Sequence, residues 1–266
     1  MKADVYSIEG KKISEMELPE VFSEQVRPDL IARAVLHEAS KEFQPKGVHK
    51  LAGMQTTAEY QGRKENYRSI KNHGISRLPR EKLPKGRFGK VRMIPFAVGG
   101  RRAHPPNPGK ILVEEMNRKE YAKALRSAIA ATADAKSVAA RGHRMGGVAV
   151  PFVVEGKFEA LGKTKDVEAA LGKMGLADDL ARSRNGKKAR SGVRVLRRGG
   201  SKVPRSVLIV VSAGKPLEKA ARNIPGVDVC TVKGLEARKL APGAKPGRLT
   251  VWCEPVLKEL GAAQVM

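Results

Sequence analysis

An α/β fold built on a mostly parallel sheet with helices on both faces is what this sequence predicts, and three observations predict it. The run Val207-Leu208-Ile209-Val210-Val211 is continuously apolar, as strands are when a parallel sheet buries both of their faces. From Val148 onward, short apolar runs alternate with short helical patterns, the rhythm of a parallel sheet with crossover helices. Two basic stretches without either period interrupt that rhythm, so the expected body carries an N-terminal β-hairpin, one long extended basic loop and a second, shorter basic insertion.

The elements follow in order. Ala3 to Glu9 and Lys12 to Leu18 each alternate apolar with polar residues around Glu9-Gly10, which predicts the hairpin. Pro19 ends it, and Phe22 falls at the core edge. Pro28 opens a helix that carries Leu30, Ile31, Ala34, Val35 and Leu36 on one face and runs to about Phe43; proline suits a first turn, where its missing N–H would be unpaired anyway. Glu114 to about Ala133 is rich in Ala, Leu, Lys and Glu, with Tyr121, Leu125, Ala128, Ile129 and Thr132 at helical spacing. Val148 to Glu155 has strand character. Asp166 to Lys173 and Leu176 to Arg184 read as helices and Ser206 to Val211 as the central strand. A helix from Pro216 to Asn223, a strand from Val227 to Val232 and a helix from Gly234 to Leu240 come next. Leu249 to Cys253 is the last strand, followed by a helix from Pro255 to about Leu260.

This divides the chain into a body, residues 1–43 and 111–266, and an inserted arm, residues 44–110. The arm holds Lys46, Lys50, Arg63, Lys64, Arg68, Lys71, Arg77, Arg80, Lys82, Lys85, Arg87, Lys90, Arg92, Arg101, Arg102 and Lys110 against only Glu59, Glu65 and Glu81. Its glycines and prolines leave no period intact for more than a few residues, and a structureless loop of that length is functional or disordered. A solvated basic linker would share this composition. Single apolar or aromatic residues spaced along it (Leu51, Met54, Tyr60, Tyr67, Ile70, Leu78, Phe88, Phe96) favour an arm that lays its cations on phosphates and its rings among bases. The second insertion, residues 182–205, carries ten bases, Arg190, Arg194, Arg197 and Arg198 among them, and no acid. A shorter basic loop, Arg141-Gly142-His143-Arg144, lies between the long helix and the strand that follows it. His104 and His143, each beside arginines, join the residues expected to touch RNA.

A formal net charge of +25 over 266 residues points to a polyanion, nucleic acid or anionic membrane. Membrane is the poorer choice, because no apolar run approaches the roughly 18 residues of a spanning helix and the N-terminus lacks a signal-like pattern. Only 4% of residues are aromatic, too few for a sheet that stacks bases on several rings. Cys230 and Cys253 have no metal or redox spacing and read as small buried hydrophobes. No glycine-rich phosphate cradle stands between a strand and a helix, no His or Cys pair has metal spacing, and no nucleophile–base set can be nominated, so no cofactor is expected.

Several blocks together resemble one family. Arg27-Pro28-Asp29-Leu30-Ile31, Gly99 to Pro106 (GGRRAHPP), Arg126 to Ala133 (RSAIAATA), Arg141 to Arg144, Leu240-Ala241-Pro242-Gly243 and Pro246 to Trp252 (PGRLTVW) occur in the order found in large-subunit ribosomal protein four, archaeal and eukaryotic branch. The resemblance runs nearly end to end. It implies an α/β body, a structural role in the large subunit without enzymatic activity, a cytoplasmic ribosome as location, and ribosomal RNA and neighbouring ribosomal proteins as partners. It also implies that the long loop helps assembly and reaches the wall of the peptide exit tunnel. Its tip at Tyr60, Gln61, Gly62, Arg63, Lys64 and Tyr67 would then lie near the nascent polypeptide. The competing reading, from another class, is an RNA-modifying enzyme with an α/β catalytic body and basic insertions that hold its substrate.

Overall fold

The computed structural model describes residues 1–65 and 67–262, and the side chains of all of these except Arg197, Arg198, Lys215 and Ala262. The chain forms two compact units, Met1–Glu42 with Val113–Met266, and Phe43–Leu112. In chain order the elements are β1 (Lys2–Tyr6), β2 (Lys12–Glu17), α1 (Pro28–Lys41), β3 (Arg80–Lys82), β4 (Phe88–Val91), α2 (Arg118–Ala133), α3 (Ala135–Ala140), β5 (Phe152–Val154), α4 (Thr164–Leu171), α5 (Ala177–Asn185), β6 (Lys188–Ala189), α6 (Arg194–Arg198), β7 (Ser201–Lys202), β8 (Leu208–Val211), α7 (Lys215–Ala221), β9 (Asp228–Thr231), α8 (Ala237–Leu240), β10 (Thr250–Cys253) and α9 (Glu254–Ala262).

Six strands of the body form one sheet in the order β2-β1-β5-β10-β8-β9, with β1 and β2 antiparallel and every other pair parallel. One row of partners crosses it: Val5 with Val153, Val153 with Trp252, Trp252 with Val210, and Val210 with Cys230. Every side chain of β5, β8 and β10 is buried, so layers cover both faces, as the unbroken apolar runs require. On one side α1, α2 and α8 pack together, and Phe22, in a turn packed on α2, meets Trp252 edge to face at 5.3 Å. Elsewhere α4 packs on α7, and α9 on β10 and β8.

Glu38 of α1 is a polar fastener among these helices. Its carboxylate accepts the backbone N–H groups of Ala237 and Arg238 at 2.8 and 2.7 Å and the Tyr121 hydroxyl at 2.5 Å. These N–H groups belong to the first turn of α8, where a helix has no internal acceptor for them. Cys230 and Cys253 are buried and free, and burial pushes the Cys230 thiol up to about 11.

Several boundaries differ from the sequence expectation for local reasons. The helix expected from Glu114 begins at Arg118, because residues 114–117 are tied to α1: the Glu114 N–H donates to Ser40 Oγ at 3.0 Å and its carbonyl meets His37 Nδ1. Helix α3 was not expected. Asp134 leaves the helical conformation and accepts the N–H groups of Lys136 and Ser137, which ends α2 and starts α3 with one side chain. The strand expected from Val148 pairs only over Phe152–Val154, Pro151 having no N–H to give a ladder.

Candidate nucleic-acid interface

The arm unit is more ordered than its composition suggests. Where the sequence predicts no regular structure, β3 and β4 pair antiparallel, Arg80 with Val91 and Lys82 with Phe88. The pairing is continued by two backbone hydrogen bonds between Glu59 and Arg80, at 3.1 and 3.2 Å, and by the Ile70 N–H to the Gln61 carbonyl at 3.0 Å. Ile70, expected among the residues that would wedge between bases, is instead 1% exposed and anchors the arm from inside. The limbs also meet nearer the unit's ends. Gly53, at φ +76°, lies so close to the returning limb that a Cβ would stand 2.6 Å from the Arg101 Cα. These contacts were not legible in composition, since a short hairpin with one deeply buried side chain leaves almost no periodic trace.

Most of the arm's cations face solvent. Lys46, Lys50, Arg63, Lys64, Arg68, Arg77, Lys82, Lys85, Arg87, Lys90, Arg101, Arg102 and His104 are exposed, and Lys71, Arg80 and Arg92 are half-buried. Three are committed inside the arm: Arg92 donates to Glu81 at 2.8 Å, Lys82 pairs with Glu59, and Arg80 donates to Ser76 Oγ at 2.8 Å. Three acids cannot neutralise sixteen bases, so the unit keeps a large excess of positive charge. Within the tip, Arg63, Lys64 and Tyr60 are exposed, Gln61 is half-buried, and Gly62 is covered by the Tyr60 ring. Tyr67 is 83% exposed, with the Arg68 guanidinium 5.1 Å from its ring centre.

The second insertion is a small hairpin rather than a plain linker: β6 and β7 pair through Lys188 with Lys202 and Ala189 with Ser201, and α6 lies between them. Arg190 is steadied by its Nε donating to the Ser201 carbonyl at 2.9 Å, and Arg194 is exposed. Arg197 and Arg198, also expected on this surface, lie outside the described side chains. In the loop before β5, Arg144 is exposed, while Arg141 donates to the Pro242 carbonyl at 2.6 Å and to that of Lys245.

His143 corrects the sequence expectation. It is buried rather than exposed beside its arginines, with Nδ1 3.2 Å from each carboxylate oxygen of Asp179. Asp179, fully buried on α5, also accepts Arg182 Nε at 2.9 Å, the Ser206 hydroxyl at 2.5 Å and the Arg144 N–H at 3.1 Å. Burial by itself raises a carboxyl pKa; here the hydrogen bonds from His143, Arg182 and Ser206 overcome it and hold Asp179 well below the usual carboxylate range. Sequence reading passed over Asp179, whose only signal was an acid three residues before Arg182 on a helix. Arg248, within the PGRLTVW block, is likewise internal. It is 1% exposed and donates to Asp228 at 2.6 Å and to the carbonyls of Ser206 and Lys239 at 2.9 and 3.0 Å. Gly247 beside it, at φ +85°, has no room for a Cβ, which would stand 2.5 Å from the Ser137 carbonyl carbon.

The carboxyl ends of the strands, where an α/β enzyme would hold a nucleotide, carry acids. Glu159 accepts the N–H groups of Ser212 and Ala213 at 2.9 and 3.4 Å, and the Ser212 hydroxyl donates to Glu259. The backbone donors that would cradle a phosphate there are thus already taken by a carboxylate. Among the described residues no group of three His, Cys, Asp or Glu could hold a metal ion, and no helix is long and apolar enough to cross a membrane.

Comparison with known proteins places these features in a family. Residues 16–263 match the model of the ribosomal protein L4/L1 family. The large ribosomal subunit protein uL4 of Methanocaldococcus jannaschii is 47% identical over 260 residues, and that of Methanothrix thermoacetophila 46%, in each case over 98% of both chains. The uL4 protein of Methanoculleus marisnigri is 45% identical over the same share.

Proposed function

The chain belongs to the ribosomal protein L4/L1 family, and on that premise we propose how its basic surfaces serve the large subunit. It is a structural constituent of the large ribosomal subunit in the cytoplasmic ribosome, without catalytic activity, and its partners are ribosomal RNA and neighbouring ribosomal proteins. The arm's mechanism is charge neutralisation. Exposed cations along residues 44–110 replace counterions on RNA phosphates, which lets RNA helices approach one another; such contacts fix position more than they read sequence.

The observation that carries this reading is the arm's imbalance: sixteen bases, three acids and, among the described residues, a single side chain as deeply buried as Ile70. Left-handed backbone at Arg68, Asn72, Lys85 and Met93 supports it, because such conformations in residues other than glycine persist where surroundings hold them in place. The arm's own interior supplies little hold, and RNA would supply the rest. The tip, residues 60–67, borders the path of the growing peptide in this proposal, a placement that rests on resemblance to the family. The enzyme alternative is disfavoured by the Glu159 carboxylate at the strand ends, where a cofactor phosphate would have to sit.

Stem and tip variants test the arrangement. Replacing Arg101 and Arg102 together by Ala is expected to lower incorporation into the large subunit, each contact contributing about 1.5 to 3 kcal/mol if buried against RNA and less if exposed. Arg63→Glu or Lys64→Glu is expected to leave incorporation intact and to alter stalling of particular nascent chains. Subunit sedimentation and ribosome profiling read the two effects. Equal assembly defects from tip and stem, with no selective effect on elongation, would remove the tunnel assignment.

A further inference from the structure

The sheet ends at β2 on one side and at β9 on the other, and the two edges are not alike. Strand β9 is mostly half-buried, whereas β2 is exposed along nearly its whole length. The backbone groups on the free side of β2 follow from the pairing on its other side. The Leu18 N–H donates to the Met1 carbonyl at 2.9 Å, and Lys2 and Asp4 stand opposite Glu17 and Glu15. Residues of an antiparallel pair alternate between exchanging hydrogen bonds and facing away, so the N–H and C=O groups of Glu15 and Glu17 point off the edge. Among the described residues no strand pairs with them. We propose that this open edge takes up an extended, basic segment of a neighbouring large-subunit protein as an added strand.

Charge selects that occupant. The chain carries a formal net charge of +25, yet residues 1–25 hold six acids, Asp4, Glu9, Glu15, Glu17, Glu20 and Glu24, against three lysines. Asp4 and Glu15 lie directly across from each other, a like-charged arrangement that costs a sheet stability. Lys12 relieves it in part, its ammonium 2.7 Å from each carboxylate, while Glu17 has no cationic partner among the described residues. A lysine on an edge strand ordinarily discourages a further strand; here that lysine is drawn onto two acids. RNA phosphate would be repelled by this surface, and a second copy would set acids against acids. A strand with Lys or Arg at alternate positions meets Glu15 and Glu17, which share one face, and its other residues lie beside Ser14 and Met16. The edge is also preformed. Residues 14–17 lie clear of the bulge between Val5 and Tyr6, the Tyr6 ring stacks on Phe152 at 4.8 Å, and the Ile8 N–H donates to Glu155 at 3.1 Å. The inference rests on the ribosomal reading above and names where on the body a protein neighbour docks.

Photo-cross-linking in purified large subunits tests the contact. The photoreactive residue p-benzoylphenylalanine replaces Ile13, 57% exposed on β2, or, for comparison, Val98, 92% exposed in the arm. From position 13 the expected adduct is with one stretch of another large-subunit protein that carries Lys or Arg at alternate positions; from position 98 it is with ribosomal RNA. An adduct of position 13 with RNA, with a second copy or with this chain's own arm, or no adduct at all, overturns the edge assignment, and the ribosomal reading stands as long as position 98 reaches RNA. If position 98 does not reach RNA, the reading of the arm fails as well. A peptide copying the cross-linked stretch then separates strand addition from charge alone. Only one alternate set of its backbone N–H groups faces β2, so methylating that set should weaken binding to the isolated full chain by about tenfold or more, while methylating the other set leaves it unchanged. A Glu15→Lys/Glu17→Lys variant, altered only at exposed side chains, is expected to fold normally and to weaken binding of the unmethylated peptide by a similar factor. Equal binding of all three peptides, or binding that the double variant does not weaken, would overturn the added strand.

Discussion

The body and the arm are stabilised by opposite physics. In the body, strands β5, β8 and β10 bury every side chain, and two buried charged groups, Asp179 and Arg248, have several partners each. In the arm, Ile70 is the deeply buried apolar side chain among the described residues, and cations outnumber acids more than fivefold. Apolar burial at about 25 cal/mol per Å² drives the first kind of unit. The second gains little from that source and works against its own charge, a repulsion that a polyanion would relieve. One chain thus contains an apolar-cored scaffold and a strongly basic arm.

The largest contrast should come from paired truncations. Trp252→Ala removes a side chain with no exposure at the centre of the sheet and is expected to cost about 3 to 5 kcal/mol in urea unfolding. Phe96→Ala, at a ring 76% exposed in the arm, should change the same transition by less than about 0.5 kcal/mol in the isolated protein. A comparable loss at Phe96 would break the comparison.

A smaller effect, but a more specific one, is expected at Asp179. Changing it to Ala strands His143, Arg182 and Ser206, at a cost of about 3 kcal/mol, the lower end for a broken buried pair because Arg182 reaches water. The folded carboxyl pKa lies below the unfolded value near 3.9, so the stabilisation is complete above that pH and fades as acid protonates the folded carboxylate. The gap in urea midpoint between the unaltered protein and Asp179→Ala should therefore stay constant above about pH 4 and narrow as pH is lowered from there to about 2. A gap that does not narrow below about pH 4 would mean that Asp179 does not act as a charge.

The smallest effect sharpens the arm itself. Ile70→Ala should weaken the arm's local order by about 1 kcal/mol, since the site can collapse or fill with water, and leave the body's melting temperature unchanged. Amide exchange without RNA would show faster exchange at Ile70 and Arg80, whose N–H groups bond Gln61 and Glu59, and none at Leu208 to Val211. If exchange in the body rises as well, the two units are not independent.

How much could be read from the residues follows the same division. The strands and helices of the body were legible because burying one face, or both, imposes a period: Val207 to Val211 reads as a central strand and Pro28 as a helix start without any coordinates. Ends were less legible. Asp134 and Glu114 set boundaries through hydrogen bonds whose geometry is not written in hydropathy. The arm's charge was plain, but its hairpin was not, because β3 and β4 are three and four residues long.

By itself the sequence determined what depends on composition and local order. It pointed to an α/β body, a basic stretch at 44–110, a second basic insertion and a polyanion as partner, since charge and hydrophobic period are properties of the chain before it folds. The tertiary structure alone decided which of the basic and polar residues face outward. It turned His143 and Arg248 inward, made Ile70 an anchor, and brought Arg141, Arg182, Arg205 and Lys245, up to 104 positions apart, around one cleft. A residue's type states its charge, but the direction in which that charge points is set by partners that only folding brings within hydrogen-bond reach.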